Sequence, residues 1–191
     1  MKQKREERRK KIEDHKKTKQ EREAENERNG IVGDVEFEMM IEQQREKVNP
    51  PYEHLTAENL RIAVCVRKRP IFPKELATGE LDCVTASNPF IKIHECKLKI
   101  DGITKFIENH EFSFDNAFHE GESSEAFYLS AIRPLMNILF DHGIVTCFAY
   151  GQTGSGKTFT MNEIENFVVK DLFDFLSQQG FFNIGKIFRF L

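Results

Sequence analysis

Tryptophan is absent from the 191 residues and tyrosine occurs only three times, so burial must lean on the 18 phenylalanines. Cysteine is scarce as well: Cys65, Cys83, Cys96 and Cys147 show no C-x-x-C spacing and read as reduced core thiols in a cytosolic protein. No apolar run approaches the ~18 residues that a membrane span needs, and the N-terminal segment lacks the apolar stretch of a signal peptide. The expectation is a soluble, cytoplasmic chain with no membrane partner. Hydrophobic residues still make up 39% of it, and the length suits one core with an appendage rather than two full domains.

The formal net charge of −3 conceals a split, because residues 1–28 carry 12 Lys/Arg against 8 Asp/Glu. That leaves the arm at +4 and the remainder at −7. A basic arm can attract an acidic polymer such as nucleic acid or an acidic filament surface; equally, the interleaved acids fit a solvated helix laced with i,i+4 ion pairs. After the initiator, Ile12 and Ala24 are its only aliphatic residues, so no heptad seam drives a coiled coil. The spacing predicts a helical or disordered arm over 1–33, broken at Asn29-Gly30.

Asp34 is placed to cap a helix on which Phe37, Met40, Ile41 and Val48 fall near one face, interrupted by Gln44 and stopped by Pro50-Pro51. This segment and its linker occupy 34–59. In "LRIAVCVRKRP", residues 60–70, Ile62, Val64 and Val66 alternate with Ala63 and Cys65; both faces are apolar, which predicts a strand buried on two sides. Residues 91–118 alternate around Asp101-Gly102, a dipeptide suited to a type I′ hairpin turn. Ser123 is a cap for a helix over 124–141 with Glu125 in its first turn, Leu135, Ile138 and Leu139 as core contacts, a kink at Pro134 and Gly143 past its end. "IVTCFAY", 144–150, is predicted to be a central parallel strand. Ile164, Phe167, Val168, Leu172, Phe175 and Leu176 repeat at helical spacing up to Gly180, and "FFNIGKIFRFL" supplies a last short strand. The order fits an α/β fold of the P-loop type, a sheet with flanking helices.

Between the predicted strand and helix lies "GQTGSGKT", residues 151–158, which matches G-x-x-x-x-G-K-[ST]. Gly151, Gly154 and Gly156 permit backbone turns that a Cβ obstructs, so the N–H groups of Gln152, Thr153 and Ser155 and their neighbours can converge on phosphate oxygens. The helix start favours an anion, Lys157 adds a full positive charge and the Thr158 hydroxyl is a ligand for Mg²⁺. A nucleotide is the expected ligand, and the alternative is a glycine-rich turn that happens to contain Gly-Lys-Thr.

The flanking residues resemble kinesin motor domains: "FAYGQTGSGKTFTM" is similar to their P-loop, "VCVRKRP" to their first strand with its R-x-R-P motif, and "FSFDNAF" to F-x-F-D-x-x-F. "KLKIDGITKFIEN" and "EFEMMIEQQREKV" resemble a loop and the neck of the microtubule-depolymerising kinesin-13 group, whose Lys-Val-Asp corresponds to Lys99, Ile100 and Asp101. The resemblance implies ATP and Mg²⁺ as cofactors and microtubules or tubulin as partner, with cytoskeletal localisation and no nucleic acid. It makes Arg67, Arg69 and Pro70 one wall of an adenine pocket and Phe159, where many kinesins have His, the other. It also implies that 60–191 is the N-terminal portion of a motor domain. Neither N-x-x-S-S-R nor D-x-x-G, the family's switch motifs, occurs in the 191 residues. The expectations are therefore a truncated ATP-binding motor whose own hydrolysis is doubtful, a non-catalytic microtubule-binding fragment, or an unstable product.

Overall fold

The computed structural model describes residues 2–57, 60–141 and 143–178. In chain order its elements are helices α1 (Lys2–Asn29) and α2 (Val35–Arg45), strand β1 (Cys65–Arg67), helix α3 (Pro73–Ala77), strands β2 (Val84–Ser87), β3 (Phe90–Leu98), β4 (Lys105–Ser113) and β5 (Asn116–Phe118), and helices α4 (Ser124–Ala131), α5 (Met136–Phe140) and α6 (Lys157–Gln178). They divide into two units, Met1–Tyr52 with Pro70–Phe114 and Glu53–Arg69 with Asp115–Leu191.

In the first unit the arm is helical rather than disordered. Its end is fixed by Gly30 in the left-handed region, φ +67°, with Gly30 N donating to Glu27 O and Ile31 N to Asn26 O. This pairing satisfies carbonyls that a helix terminus leaves open, and glycine adopts the required backbone without a Cβ clash. The chain then reverses into α2, where Asp34 Oδ1 accepts from Glu36 N and Phe37 N as a cap. The last third of α1 pairs with α2: Lys19 with Glu36, Arg22 with Glu42, and buried Asn26 donating to Glu38 at 2.9 Å. Residues 4–18 are exposed.

Helix α2 buries Val35 and Ile41 and lies on an antiparallel sheet of order β2-β3-β4. Polar contacts fix its two ends. At the C-terminal end Arg45 donates to Asp82 O, Val84 O and Thr85 Oγ1 and pairs with the Asp82 carboxylate at 2.9 Å. At the N-terminal end Lys105 Nζ reaches both Asp34 oxygens and Glu36, and stands 5.2 Å from the centre of the Phe37 ring. Lys105 holds the Asp34 and Glu36 carboxyls below their ordinary values, although partial burial of Asp34 opposes this most strongly. Asp34→Ala removes both the cap and one partner of Lys105; the expected loss is about 1 kcal/mol, read as a lower urea midpoint.

The β3–β4 hairpin runs in register from Phe90↔Ser113 to Leu98↔Lys105. Its turn is longer than the two-residue type I′ form: Gly102 N donates to Lys99 O, Lys99 N to Thr104 O, and Gly102 takes φ +68°. The reason is local. Asp101 uses its side chain to bond Ile103 N and Thr104 N, which stabilises a wider loop than Asp-Gly builds when its backbone alone makes the turn.

In the second unit β1 and β5 form a parallel pair, with Cys65↔Asn116 and Arg67↔Phe118. The expected strand over 60–70 is thus cut to three residues, leaving Ile62 77% and Val64 51% exposed. The expected central strand over 144–150 has no ladder; Ile144, Phe148 and Tyr150 are exposed, and so is Cys147, expected as a core thiol. An apolar extended segment becomes a strand only where a neighbour supplies hydrogen bonds, and among the described residues β1 has one short neighbour and 144–150 none.

Ser123 Oγ accepts from Ala126 N and starts α4. At Pro134 the expected single helix breaks into α4, a 3₁₀ turn at Arg133–Leu135 and α5, since proline lacks the N–H that continuity requires. The break also turns Ile138 and Leu139 outward, while Met136 takes the buried position. The core gathers Phe118, Phe127, Ala131 and Ile164, the last on α6. Tyr128 OH donates to Asp171 at 2.8 Å and its ring stacks on Phe167, so 167–171 is helical and Asp171 is committed to packing. Gly180 and the expected strand in "FFNIGKIFRFL" lie outside the described residues.

Candidate nucleotide site

The glycine-rich turn leads into α6 at Lys157, and three of its residues have backbones that glycine alone adopts readily: Gly151 at φ +148°, Gly154 at +83° and Gly156 at +93°. Gly151 is constrained by space as well. A Cβ there would lie 2.6 Å from Ser155 Oγ, closer than two such atoms pack. Ser155 N donates to Gln152 O and Thr160 N to Gly156 O, closing the turn against the first helical turn.

The ammonium of Lys157 folds over this turn and donates to Gly151 O at 2.8 Å and Gln152 O at 2.7 Å. An anion entering the loop therefore meets a positive charge at the start of a 22-residue helix, whose first N–H groups lack intrahelical partners. Ser155 Oγ is buried without a hydrogen-bond partner. A buried hydroxyl left open beside convergent glycines suits a phosphate oxygen or the water shell of its counter-ion, so the residues fit the nucleotide that the motif implies. Thr153 and Thr158 are exposed; Thr158 lies in the first turn of α6, next to Lys157.

Arg67 joins the strand pair to this helix. Its Nη1 donates to Thr160 Oγ1 and its Nη2 to Ser124 Oγ, with the guanidinium 5.7 Å from the Phe127 ring centre and 5.6 Å from that of Phe159. Burial pulls its pKa below the ordinary arginine value, opposed by the nearby charges of Glu163 and Glu122. Arg67 and Phe159 are thus in contact rather than separated as opposing walls, and Phe159, 60% exposed, keeps surface for a stacking base. Arg69 approaches the turn from the same unit, its Cβ 4.0 Å from where a Gly156 side chain would begin. Pro70, exposed, opens the next stretch of the first unit. Lys99, Ile100 and Asp101 are all exposed on the β3–β4 loop.

Polar residues that brace the second unit escaped the motif-based reading. Buried Asn116 clasps the backbone of Leu55, accepting from its N at 2.8 Å and donating to its O at 2.7 Å. His54 stacks on Phe118 and bonds Glu122 at 2.6 Å. The sequence separations of these pairs, 61 and 68 residues, leave no local pattern to detect.

Comparison with known proteins follows the same elements. The kinesin motor domain family matches residues 67–182. Diatom spindle kinesin-1 of Cylindrotheca fusiformis is 37% identical over 185 residues, a match that covers 93% of this chain and 30% of the relative. The chain therefore spans about a third of that relative's length, and neither match distinguishes a subfamily. With the family match running from Arg67 in β1 through the glycine-rich turn and α6, the chain belongs to the kinesin motor-domain family.

Proposed function

We propose that this chain binds a Mg²⁺-bound nucleoside triphosphate, ATP by family likeness, in the turn 151–158, and that its partner is the microtubule. The observation that carries the nucleotide reading is the three left-handed glycines with Lys157 Nζ held across the Gly151 and Gln152 carbonyls at the mouth of α6. In this reading the backbone N–H groups of the turn and Ser155 Oγ would hold phosphate oxygens, and the Lys157 ammonium, now bonded to the Gly151 and Gln152 carbonyls, would supply their positive counter-charge. Thr158 would be the protein ligand of Mg²⁺, and Phe159 with Arg67 and Arg69, all of the second unit, would border the base; family likeness adds Pro70, the next residue in the chain. When bound, Mg²⁺ offsets phosphate charge.

The finer assignment within the family is kinesin-13-like, with Lys99, Ile100 and Asp101 meeting tubulin and cytoskeletal localisation following from that contact. It rests on the likeness of "KLKIDGITKFIEN" and "EFEMMIEQQREKV" to that group's loop and neck. For the 191 residues taken by themselves, which hold neither N-x-x-S-S-R nor D-x-x-G, binding without turnover is the reading to test first. Phosphoryl transfer depends on positioned charges, one of which is worth about 10³–10⁵ in rate in related NTPases.

Calorimetric titration of Mg·ATP into the full chain tests the nucleotide reading. Lys157→Ala removes a charge-assisted contact of about 1.5–3 kcal/mol, so affinity should fall roughly 10- to 150-fold with melting unchanged. Equal binding by the two proteins would remove the assignment. Phosphate release measured on the same samples tests turnover: a rate at background supports binding alone, and a robust rate abolished by Lys157→Ala supports catalysis.

A further inference from the structure

Cys83 immediately precedes β2 and Cys96 lies well along β3, yet the register of the two strands brings them together. The β2–β3 ladder begins at Val84↔Ile93, and one step beyond it His94 N donates to Cys83 O at 2.8 Å. Cys83 therefore stands opposite His94. Residues opposite each other share a face of the sheet, as do residues two apart on one strand, so Cys83, His94 and Cys96 fall on the same side. Diagonal neighbours of this kind are within side-chain reach, and the Cys96 thiol donates a hydrogen bond to the Cys83 sulfur. Both thiols are half-buried, which leaves each a path to a small reagent. Their surroundings differ. Burial pushes the Cys83 thiol up, and the Cys96 hydrogen bond and the Arg45 charge oppose this against Asp82 and Glu80. Burial, then the charge and hydrogen bond of Cys83, and last the Asp34 charge push the Cys96 thiol up to about 12. The thiolate that forms first is thus that of Cys83, held by a neighbouring S–H and a guanidinium.

We propose that Cys83 and Cys96 are a dithiol redox site, oxidised reversibly to a disulfide by exchange with a low-molecular-weight disulfide, with Cys83 as the attacking sulfur and Cys96 as the resolving one. The Cys83 thiolate attacks the reagent, forms a mixed disulfide with one half of it and expels the other half as a thiolate. Cys96 gives up its proton, attacks the Cys83 sulfur and expels the second half. The protein loses two electrons and two protons, and the reagent gains them to become two thiols. In a reducing compartment such a pair rests as two thiols and closes only when the small-thiol pool is itself oxidised. Once closed, it ties the segment entering β2 to β3 and shortens the loops open to the unfolded chain, which stabilises the sheet that carries His94. Cys65 and Cys147 belong to the second unit, where Asn116 bonds the Cys65 thiol, and they serve as internal controls. The site is independent of nucleotide and microtubule binding.

Treatment of the full chain with glutathione disulfide at mildly alkaline pH, followed by N-ethylmaleimide and a tryptic peptide map, tests the pairing. Trypsin cuts at Lys92, between the two cysteines, so a closed pair appears as peptide 75–92 linked to peptide 93–97. That linkage, with Cys65 and Cys147 still open to the maleimide, is the expected result. The oxidised chain should show a higher urea midpoint for the first unit, and dithiothreitol should restore the original value. Cys96→Ser should stop at one glutathione on Cys83, whereas Cys83→Ser should slow loss of the Cys96 thiol by about 10-fold or more, because a thiol pKa one unit higher leaves a tenth of the thiolate. The map of the unsubstituted chain needs no variant to fold. Glutathione carried by Cys147 with Cys83 and Cys96 both still maleimide-reactive overturns the site, since the reagent is then active and the pair is not. Linkage that forms only in urea, or that joins Cys83 to Cys65 or Cys147, overturns it as well. Faster modification of Cys96 in Cys83→Ser than of Cys83 in Cys96→Ser overturns the assigned roles.

Discussion

Phe118→Ala is expected to destabilise the second unit by about 3–5 kcal/mol, a shift of roughly 10²- to 10³-fold or more in its folding equilibrium. Phe118 is fully buried, stacked on His54 at 4.2 Å and meeting Phe127 edge-on at 4.9 Å. Removing the ring loses its transfer free energy and leaves a cavity among groups from several segments: the 53–57 linker, α4 and α6, the last through Ile164. The strand pair to which Phe118 itself belongs is only three residues long, so hydrogen bonding offers little reserve. Urea denaturation followed by amide exchange in α4 and α6 reads the loss directly. Phe118→Leu, which retains apolar bulk, should lose less than half as much. A full-strength melt in Phe118→Ala would mean that another cluster holds the unit.

The same substitution reaches the proposed nucleotide site indirectly. Ile164 stands less than two turns along α6 from Lys157, so a loosened core lets the start of that helix move. Nucleotide affinity in Phe118→Ala should therefore fall together with stability, whereas Lys157→Ala should change affinity alone.

How much of this was legible in the sequence depends on the range of the interaction concerned. Caps and breaks were legible because they are local chemistry: Asp34 and Ser123 accept from N–H groups two or three residues away, Gly30 takes the left-handed position, and Pro134 interrupts its helix. The shape of the glycine-rich turn was legible for the same reason. Its glycines, Lys157 and the following helix are contiguous. Strands 60–64 and 144–150 were misread because periodicity reports what a side chain prefers, while a ladder requires a neighbour elsewhere in the chain. The hairpin was legible as a pair of strands, but its turn type was not, because the Asp101 side chain competes with the backbone for the bonds that define the turn. Family motifs pointed to Arg67 and Phe159 without pointing to their mutual contact.

His94 marks the limit of that legibility in the first unit, and His94→Ala is expected to cost about 2–4 kcal/mol there. Its ring is fully buried, with one nitrogen bonded to Thr85 Oγ1 at 2.8 Å and the other to Asn109 Oδ1 at 2.6 Å. Alanine leaves a cavity and two polar groups without their partner. Burial pushes the imidazole below its ordinary value of 6.5; the Asn109 bond opposes this, the Arg45 and Lys92 charges reinforce it, and Asp82 acts weakly against it. In the window between the lowered folded value and 6.5 the unfolded chain binds a proton that the folded chain does not, so stability rises with pH. The contribution is complete above about 6.5 and is eroded as pH falls toward the folded value. His94→Gln cannot take up that proton, so its urea midpoint should be lower at neutral pH yet flatter across this window. The Asp34 and Glu36 carboxyls, lowered from 3.8 and 4.5, contribute only at more acidic pH. A slope unchanged by His94→Gln would show that the imidazole is hydrated and that the pairing of β2, β3 and β4 does not depend on keeping it neutral.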